Sequence, residues 1–491
     1  MPGWRHRKLS LETRPVWLTS ASVAALVVAA GLFVVPDARA ESLRQALTAA
    51  YQYNPRLDAE RARLRATDEE VSRAESGFRP TIQASADIGR QETSSRPDSQ
   101  TAGQSDPLGY NFSVRQSLFS GFRTTNEVSE AEATVKAGRE NLRQVETDVF
   151  VETVEAYSNL VRDLAIARLR DNNAEVLSKD LEGAEARRAV KEVTKTDVAQ
   201  AQARRARSIS SAELARANVK VARANYERVI GHPPSSVGQP SLKNAQLPRT
   251  LEEALKAAER QSHALNSALF QEEAARFAVD KVRGELLPEI NIEASYAHRD
   301  NPNSAFDQQE AASITGRVSM PLYDGGEIRA RVRQAKHTHV SRIQSIEQAR
   351  SETQASVIEA WSRMMASRAQ LKSDTVLVEA NRLALDGVRE EQKVGQRTLL
   401  DVLDAEQEYL DAQIQLVSTR RDLVVASYRV LATMGELNAE ALALNTDVYN
   451  AEDHLEEARQ NWFGIDIVTP DGRREVIEAN DPDDDPGEVT R

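Results

Sequence analysis

Leu118-Phe-Ser-Gly121 and Leu322-Tyr-Asp-Gly325 stand 204 residues apart, and each marks a change of period. Before the first, Tyr110, Phe112, Val114 and Leu118 alternate with Asn111, Ser113, Arg115 and Ser117. Before the second, Ile314, Gly316, Val318 and Met320 alternate with Thr315, Arg317 and Ser319. A period of two is that of a strand with unlike faces. After each motif the spacing changes to that of a helix. Working outward, the same order recurs elsewhere. Leu43-Arg-Gln-Ala-Leu47 returns as Leu251-Glu-Glu-Ala-Leu255, and Gly77-Phe-Arg-Pro80 as Glu285-Leu-Leu-Pro288. Thr194-Lys-Thr-Asp-Val198 returns as Thr398-Leu-Leu-Asp-Val402. The offset is 208 residues at the first two of these pairs and 204 at the last. A repeat this long is a duplicated architectural unit, not a short solenoid repeat.

Each unit holds a second alternating run ahead of the first. Ile82, Ala84, Ala86 and Ile88 oppose Thr81, Gln83, Ser85 and Asp87; Ile290, Ile292, Ala294 and Tyr296 oppose Asn291, Glu293 and Ser295. The expected strands are 81–90, 109–119, 289–298 and 312–323, with polar loops at 91–107 and 299–309. Strands of about ten residues cross a bilayer when tilted, with one face to lipid and the other to water. The alternative is a pair of half-buried hairpins in a soluble sheet.

The helices are long and polar. A helix from Ser42 as N-cap to Ser76 precedes Pro80, which ends it. From Thr124 to Ala189 there is no proline, and Val128, Ala131, Val135, Gly138, Leu142, Val145 and Val149 follow 3-4 spacing. That heptad pattern predicts helices wound about one another. A helix of this length is on the order of 100 Å. Its partner spans 326–393, and return helices are expected at 197–230 and 399–432. In the second return helix Leu403, Leu410, Val417, Val424 and Leu431 recur every seven residues. Gly231-His-Pro-Pro234 and Met434-Gly435 stop the return helices. The segments after these stops can pack around the middle of the helices. The predicted division is two repeats, 41–235 and 251–435, with equatorial segments at 236–250 and 436–464 and an acidic tail at 465–491 that cannot fold alone.

The chain of 491 residues carries a net charge of −12. Residues 447–491 alone hold 14 acids and four bases, so most of the excess is in the tail. The nearly balanced body gives no nucleic-acid footprint. The absence of cysteine excludes disulfides, thiolate metal sites and a lipid-modified N-terminal cysteine. Arg5, Arg7, Lys8 and Arg14 followed by an apolar run and Ala38-Arg39-Ala40 read as a signal peptide over 1–40, leaving Glu41 as the mature start. An uncleaved anchor is the alternative, since residues 16–35 are long enough to span. No later stretch approaches a spanning helix, so a membrane crossing must be a β-barrel.

Four strands cannot close a barrel, and open edges are not tolerated in lipid. The chain must therefore self-associate. Two copies give eight strands, which enclose mainly side chains; three give twelve, which leave a lumen. With Ala46-Leu47, Asn54-Pro55, Gln116-Ser-Leu-Phe119, Thr196-Asp-Val198, Met320-Pro-Leu-Tyr-Asp-Gly-Gly326 and Val394-Gly-Gln-Arg-Thr-Leu-Leu-Asp-Val-Leu-Asp404 in this order, the chain resembles the TolC family of outer-membrane efflux and secretion ducts. The resemblance covers the mature chain through about Leu444. It implies a mixed α and transmembrane-β fold: a homotrimer whose 12-stranded barrel continues into a 12-helix periplasmic α-barrel. It also implies outer-membrane lipid around the barrel, and docking through periplasmic adaptor (membrane fusion) proteins to an inner-membrane pump or ABC transporter.

The candidate site is the second turn. Gly395 suits the left-handed position that breaks a helix. Thr398 can cap the next helix, with Asp401 as the capping-box acid, and Thr194 with Asp197 repeats that spacing. Asp404 lies one turn past Asp401 on the same face. In a threefold assembly the two would form stacked rings of three carboxylates, which favour cations. The resemblance implies that these aspartates form the pore constriction, and that Arg397 ties the turn to a neighbouring hairpin at Thr196 and Asp197. Gln392 stands where the family often has a gate tyrosine, and Lys191 where the first turn usually has glycine.

His337 and His339 are two apart on a helix, so they diverge and read as a solvated pair. There is no HExxH, Walker or GxSxG motif with supporting context. No enzyme activity, cofactor or resident metal is expected. Two other functions fit less well. A passive outer-membrane porin needs no 100 Å-class helices, and a periplasmic coiled-coil structural or adaptor protein does not explain four two-faced strands.

Overall fold

The computed structural model describes residues 40–94, 103–240, 247–465, 467–468 and 474–475. Residues 1–39, within the stretch expected to be a signal peptide, the centre of the first polar loop and most of the acidic tail lie outside the described residues.

Each half of the chain begins with two helices in line. In the first half these are α1 (Leu43–Tyr53) and α2 (Pro55–Glu75). Ser42 caps α1 through a full capping box with Gln45. The single helix expected over 42–76 is thus broken in two. Pro55 cannot donate to the helical ladder, and the Asn54 side chain accepts from Arg56 N–H at 3.0 Å and restarts the helix. The counterpart break is at Ser262, between α5 (Leu251–Gln261) and α6 (His263–Gly284): its backbone N–H donates to Ala258 O, and its hydroxyl accepts from Leu265 N–H and caps α6.

The strands of the first half are β1 (Thr81–Ile88), a small extension of β2 (Gln91–Thr93) on β3 (Gly103–Ser105), and β4 (Leu108–Phe119). Those of the second are β5 (Glu289–Asn303) and β6 (Phe306–Ser319). Several boundaries differ from the sequence reading, and the loop expected at 91–107 itself carries β2 and β3. The loop expected at 299–309 is strand, because Arg299↔Gln309 and Asp300↔Gln308 continue the ladder and only a tight turn remains. The last strand stops at Ser319, not 323, because Pro321 has no N–H to donate. The sheet is antiparallel in the order β1-β4-β5-β6. One row across it reads Ile82↔Val114↔Ala294↔Ile314, the next Ala84↔Phe112↔Tyr296↔Ala312. The opposite face carries Gln83, Ser113, Ser295 and Ser313, with Arg115 paired to Glu293 at 3.2 Å. The pairing register therefore keeps one apolar and one polar face across four strands. All of β1 and β6 is exposed.

From the sheet the chain enters α3 (Arg123–Ala189), which returns as α4 (Lys195–Ile230). The second half has α7 (Glu327–Lys393) and α8 (Leu399–Met434). The lengths match, 67 and 36 residues in each half. Gly231 and Gly435 end the return helices at φ +94° and +78°. The main core lies midway along the helices. There Tyr157, Tyr226, Phe150 and Leu160 of α3 and α4 pack with Leu47 and Tyr51 of α1, Tyr428 and Leu431 of α8, and Leu437 and Leu444 beyond it. Residues of the 436–451 stretch pack on this core midway along the helices.

α9 (Asp453–Gln460) lies along α2. Beyond it β7 (Ile467–Val468) pairs with β8 (Arg474–Glu475). The tail expected to be without structure thus contains a short paired element, whose β-branched Ile467 and Val468 are hidden by the acidity of the whole segment. Among the described residues no helix is long and apolar enough to cross a membrane.

Candidate functional site

The two helical hairpins end in twin turns. In each, the backbone N–H two residues past the long helix's cap reaches back: Glu192 N–H to Arg187 O at 3.0 Å and Gln396 N–H to Glu391 O at 2.9 Å. Both turns then need a left-handed residue. Gly395 takes it at φ +81° in the second, and Lys191 takes it at φ +66° in the first. A side chain in that conformation costs roughly 1–2 kcal/mol.

Thr194 and Thr398 start the return helices through reciprocal capping boxes. The Asp401 carboxylate accepts from Thr398 N–H at 2.9 Å and lies 2.8 Å from its hydroxyl; Asp197 does the same with Thr194 at 2.8 Å for both. These bonds, backbone first, hold both carboxyls below the usual aspartate range. Asp401 is thus a capping residue within the single chain.

The tips pack on one another. Leu399 and Leu403 of α8 meet Leu177 and Ala184 of α3 and Val198 and Ala201 of α4. Burying that face turns Asp401 and Asp404 to the opposite side of α8. Asp404 is about half exposed there and forms an ion pair with Arg204 of α4. Arg204 was not read from the sequence. Its signal is its place one heptad after Asp197 on the same helix face.

Arg397 is not brought to Thr196 or Asp197 within the chain. Its Nε donates to Glu391 in its own turn at 2.8 Å. Thr196 lies in the first turn of α4. Gln392 sits beside Glu391, where its carbonyl accepts from Gly395 N–H at 3.0 Å.

A buried acidic pair above the turns also escaped the sequence reading. Asp180 of α3 and Glu406 of α8 lie within hydrogen-bonding reach of each other, and Arg389 of α7 donates to Glu406 at 2.6 Å. Burial pushes both carboxyls up, against the pull of Arg389 on each and of Arg187 on Asp180. Asp180 Oδ2 and Glu406 Oε2 are buried without a hydrogen-bond donor among the described residues, a need that one proton between them would meet.

A cavity of about 970 Å³ lies at the equator, lined by Arg139, Glu140, Arg143, Glu146 and His263 among others. From Arg143 to the first turn is about 70 Å along α3. Within the cavity Glu140 lies 2.5 Å from Arg143 and 2.9 Å from His263. His339 is half-buried and pairs with Glu272 of α6 at 2.5 Å, so only His337 of the expected solvated pair is free in water. Among the described residues no group of three or more His, Asp or Glu is placed to hold a metal.

The sequence profile of the outer membrane efflux protein family matches residues 46–232 and 254–436. The chain is 36% identical over 453 residues to the outer membrane efflux protein BepC of Brucella suis, covering 92% of this chain and 97% of BepC. To the outer membrane protein TolC of Escherichia coli it is 24% identical over 428 residues, covering 83% of this chain and 85% of TolC. The fold is similar to the crystal structure of the Campylobacter jejuni CmeC outer membrane channel, with a TM-score of 0.74 at 15% identity over 86% of this chain and 90% of CmeC. Twin helical hairpins under a two-faced sheet, matched through both halves by that profile, place the chain in the outer membrane efflux protein family, to which TolC-like channels belong.

Proposed function

We propose that this protein is the outer-membrane exit duct of a tripartite efflux or type I secretion system. Three copies close their sheets into a twelve-stranded barrel. Their hairpins form a twelve-helix tunnel through the periplasm, and an inner-membrane pump or ABC transporter feeds the tunnel through a periplasmic adaptor. The observation that carries this reading is the open sheet. Its four strands keep one apolar face in register, both outer edges lack a strand partner among the described residues, and helices on the order of 100 Å hang from it. A soluble stalk has no use for such a face, and a passive porin has no use for such helices.

At the far end of the tunnel, Asp401 and Asp404 form stacked acidic rings at the constriction. Arg397, Gln392, Thr196 and Asp197 belong to the surrounding gate network. In the closed assembly Arg397 bridges to Thr196 or Asp197 of a neighbouring copy, in exchange with its Glu391 contact. The test is planar-bilayer conductance of the purified, detergent-solubilised assembly. A duct with this gate conducts weakly at rest, prefers cations and is blocked by a trivalent cation from the periplasmic side. A large, unselective resting conductance overturns the gate, and no channel at all overturns the duct.

A further inference from the structure

The C-terminal segment is carried to the foot of the sheet by a specific set of contacts. α9 runs beside α2 in the same direction. His454 Nδ1 lies 3.2 Å from Asp68, the Ser72 hydroxyl donates to Ala458 O at 2.5 Å, Arg459 Nε lies 3.0 Å from Glu75, and the Arg79 guanidinium sits 4.3 Å over the Trp462 ring. Each advance along 454–462 matches one along 68–79, and residue 79 is two short of the start of β1. The chain thus arrives at the level where the sheet begins. There it presents Trp462, Phe463 and Ile465, which are 60%, 91% and 86% exposed.

A single exposed apolar side chain is ordinary, but three within four residues form a patch that calls for a partner. The patch lies where the chain reaches residue 79, two residues before β1 begins. Its leading residue is a tryptophan whose ring is held by an arginine. That combination suits the boundary between acyl chains and phosphates: the indole is apolar with one polar N–H, and the guanidinium is a phosphate donor.

We propose that Trp462, Phe463 and Ile465 are a membrane-interface anchor, inserted into the periplasmic leaflet of a phospholipid bilayer beside the barrel, with Arg79 at the headgroup level. This rests on the reading that the sheet spans that bilayer.

The test uses the full assembly in vesicles of phosphatidylethanolamine and phosphatidylglycerol. Residues 41–491 hold two tryptophans, Trp361 and Trp462. In the Trp361→Phe variant, emission should be lost on lipid brominated near the headgroup end of the chain, and less so on lipid brominated near the terminal methyl. A control carries Ile314→Trp with Trp361→Phe and Trp462→Phe, placing the probe on the apolar face of β6. If the control is quenched and Trp462 is not, the anchor fails and the membrane reading stands. If neither is quenched, both fail. A blue-shifted but unquenched Trp462 means burial against a second copy, which also overturns the anchor. Should Trp361→Phe fail to assemble, the unaltered chain distinguishes the same outcomes, because Trp361 lies about 50 Å down α7 from the sheet.

Discussion

Asp401 and Asp404 share a helix face but not a role. Asp401 is bonded to the turn that it caps, whereas Asp404 is tied across to α4 by Arg204. Asp404→Ala should therefore abolish or strongly weaken trivalent-cation block in bilayer recordings with little change in assembly. Arg204→Ala should strengthen both block and cation preference, because it frees the Asp404 charge. If Asp404→Ala leaves block and selectivity as they were, the constriction is elsewhere. Thr398→Ala removes the cap itself and should cost about 1 kcal/mol at the start of α8, seen as faster amide exchange there. The turns offer a second comparison. Gly395→Ala forces a side chain into φ +81° and should destabilise its turn by about 1 kcal/mol. Lys191→Gly relieves a comparable strain at φ +66° but frees the unfolded chain, so its net effect on the melting temperature should be near zero.

At the scale of elements, Asp180 of α3 and Glu406 of α8 form an acidic pair across the two helices. Both carboxyls are raised by burial, so the folded chain binds more protons than the unfolded one above the ordinary carboxylate range. Their contribution is present at low pH and is lost as pH rises through the raised values. Glu406→Gln should remove that falling limb, leaving the variant less pH-dependent in thermal unfolding from the ordinary carboxylate range upward. An unchanged pH profile would mean that the two groups do not share a proton. Helix ends also meet at glycines. A Cβ on Gly435 would lie 2.1 Å from Gln261 O, and one on Gly284 2.3 Å from Gly121 O. Alanine at either should cost roughly 1–3 kcal/mol through backbone displacement. Much of this level was legible in the sequence. Period two and heptad spacing located the four main strands and the four long helices, and threonine caps located the turns. Strand ends were not legible, since 299–309 is polar yet paired: ladder hydrogen bonds do not depend on side-chain hydropathy. Nor were Arg204, Arg389 or Asp180, because a charge on a polar helix reads as solvated until the partner helix is known.

For the whole molecule the question is closure. In a bilayer the free edges of β1, with eight residues, and β6, with fourteen, would leave backbone groups without partners. At several kcal/mol for each such group the penalty is on the order of tens of kcal/mol. That exceeds the roughly 5–15 kcal/mol by which a domain is stable, so a lone chain cannot hold this sheet in lipid. Two copies would join edges into eight strands, but the polar face carries Arg115, Glu293 and Arg317, which need water rather than a packed interior. Three copies pair every edge and leave that water. Native mass spectrometry of detergent-solubilised protein should therefore give a trimer, and should still do so after deletion of residues 469–491, which lie beyond every element packed on the helices. A monomer or dimer from the full chain would overturn the twelve-stranded reading. A trimer lost only on deletion would instead mean that the acidic tail contributes to assembly.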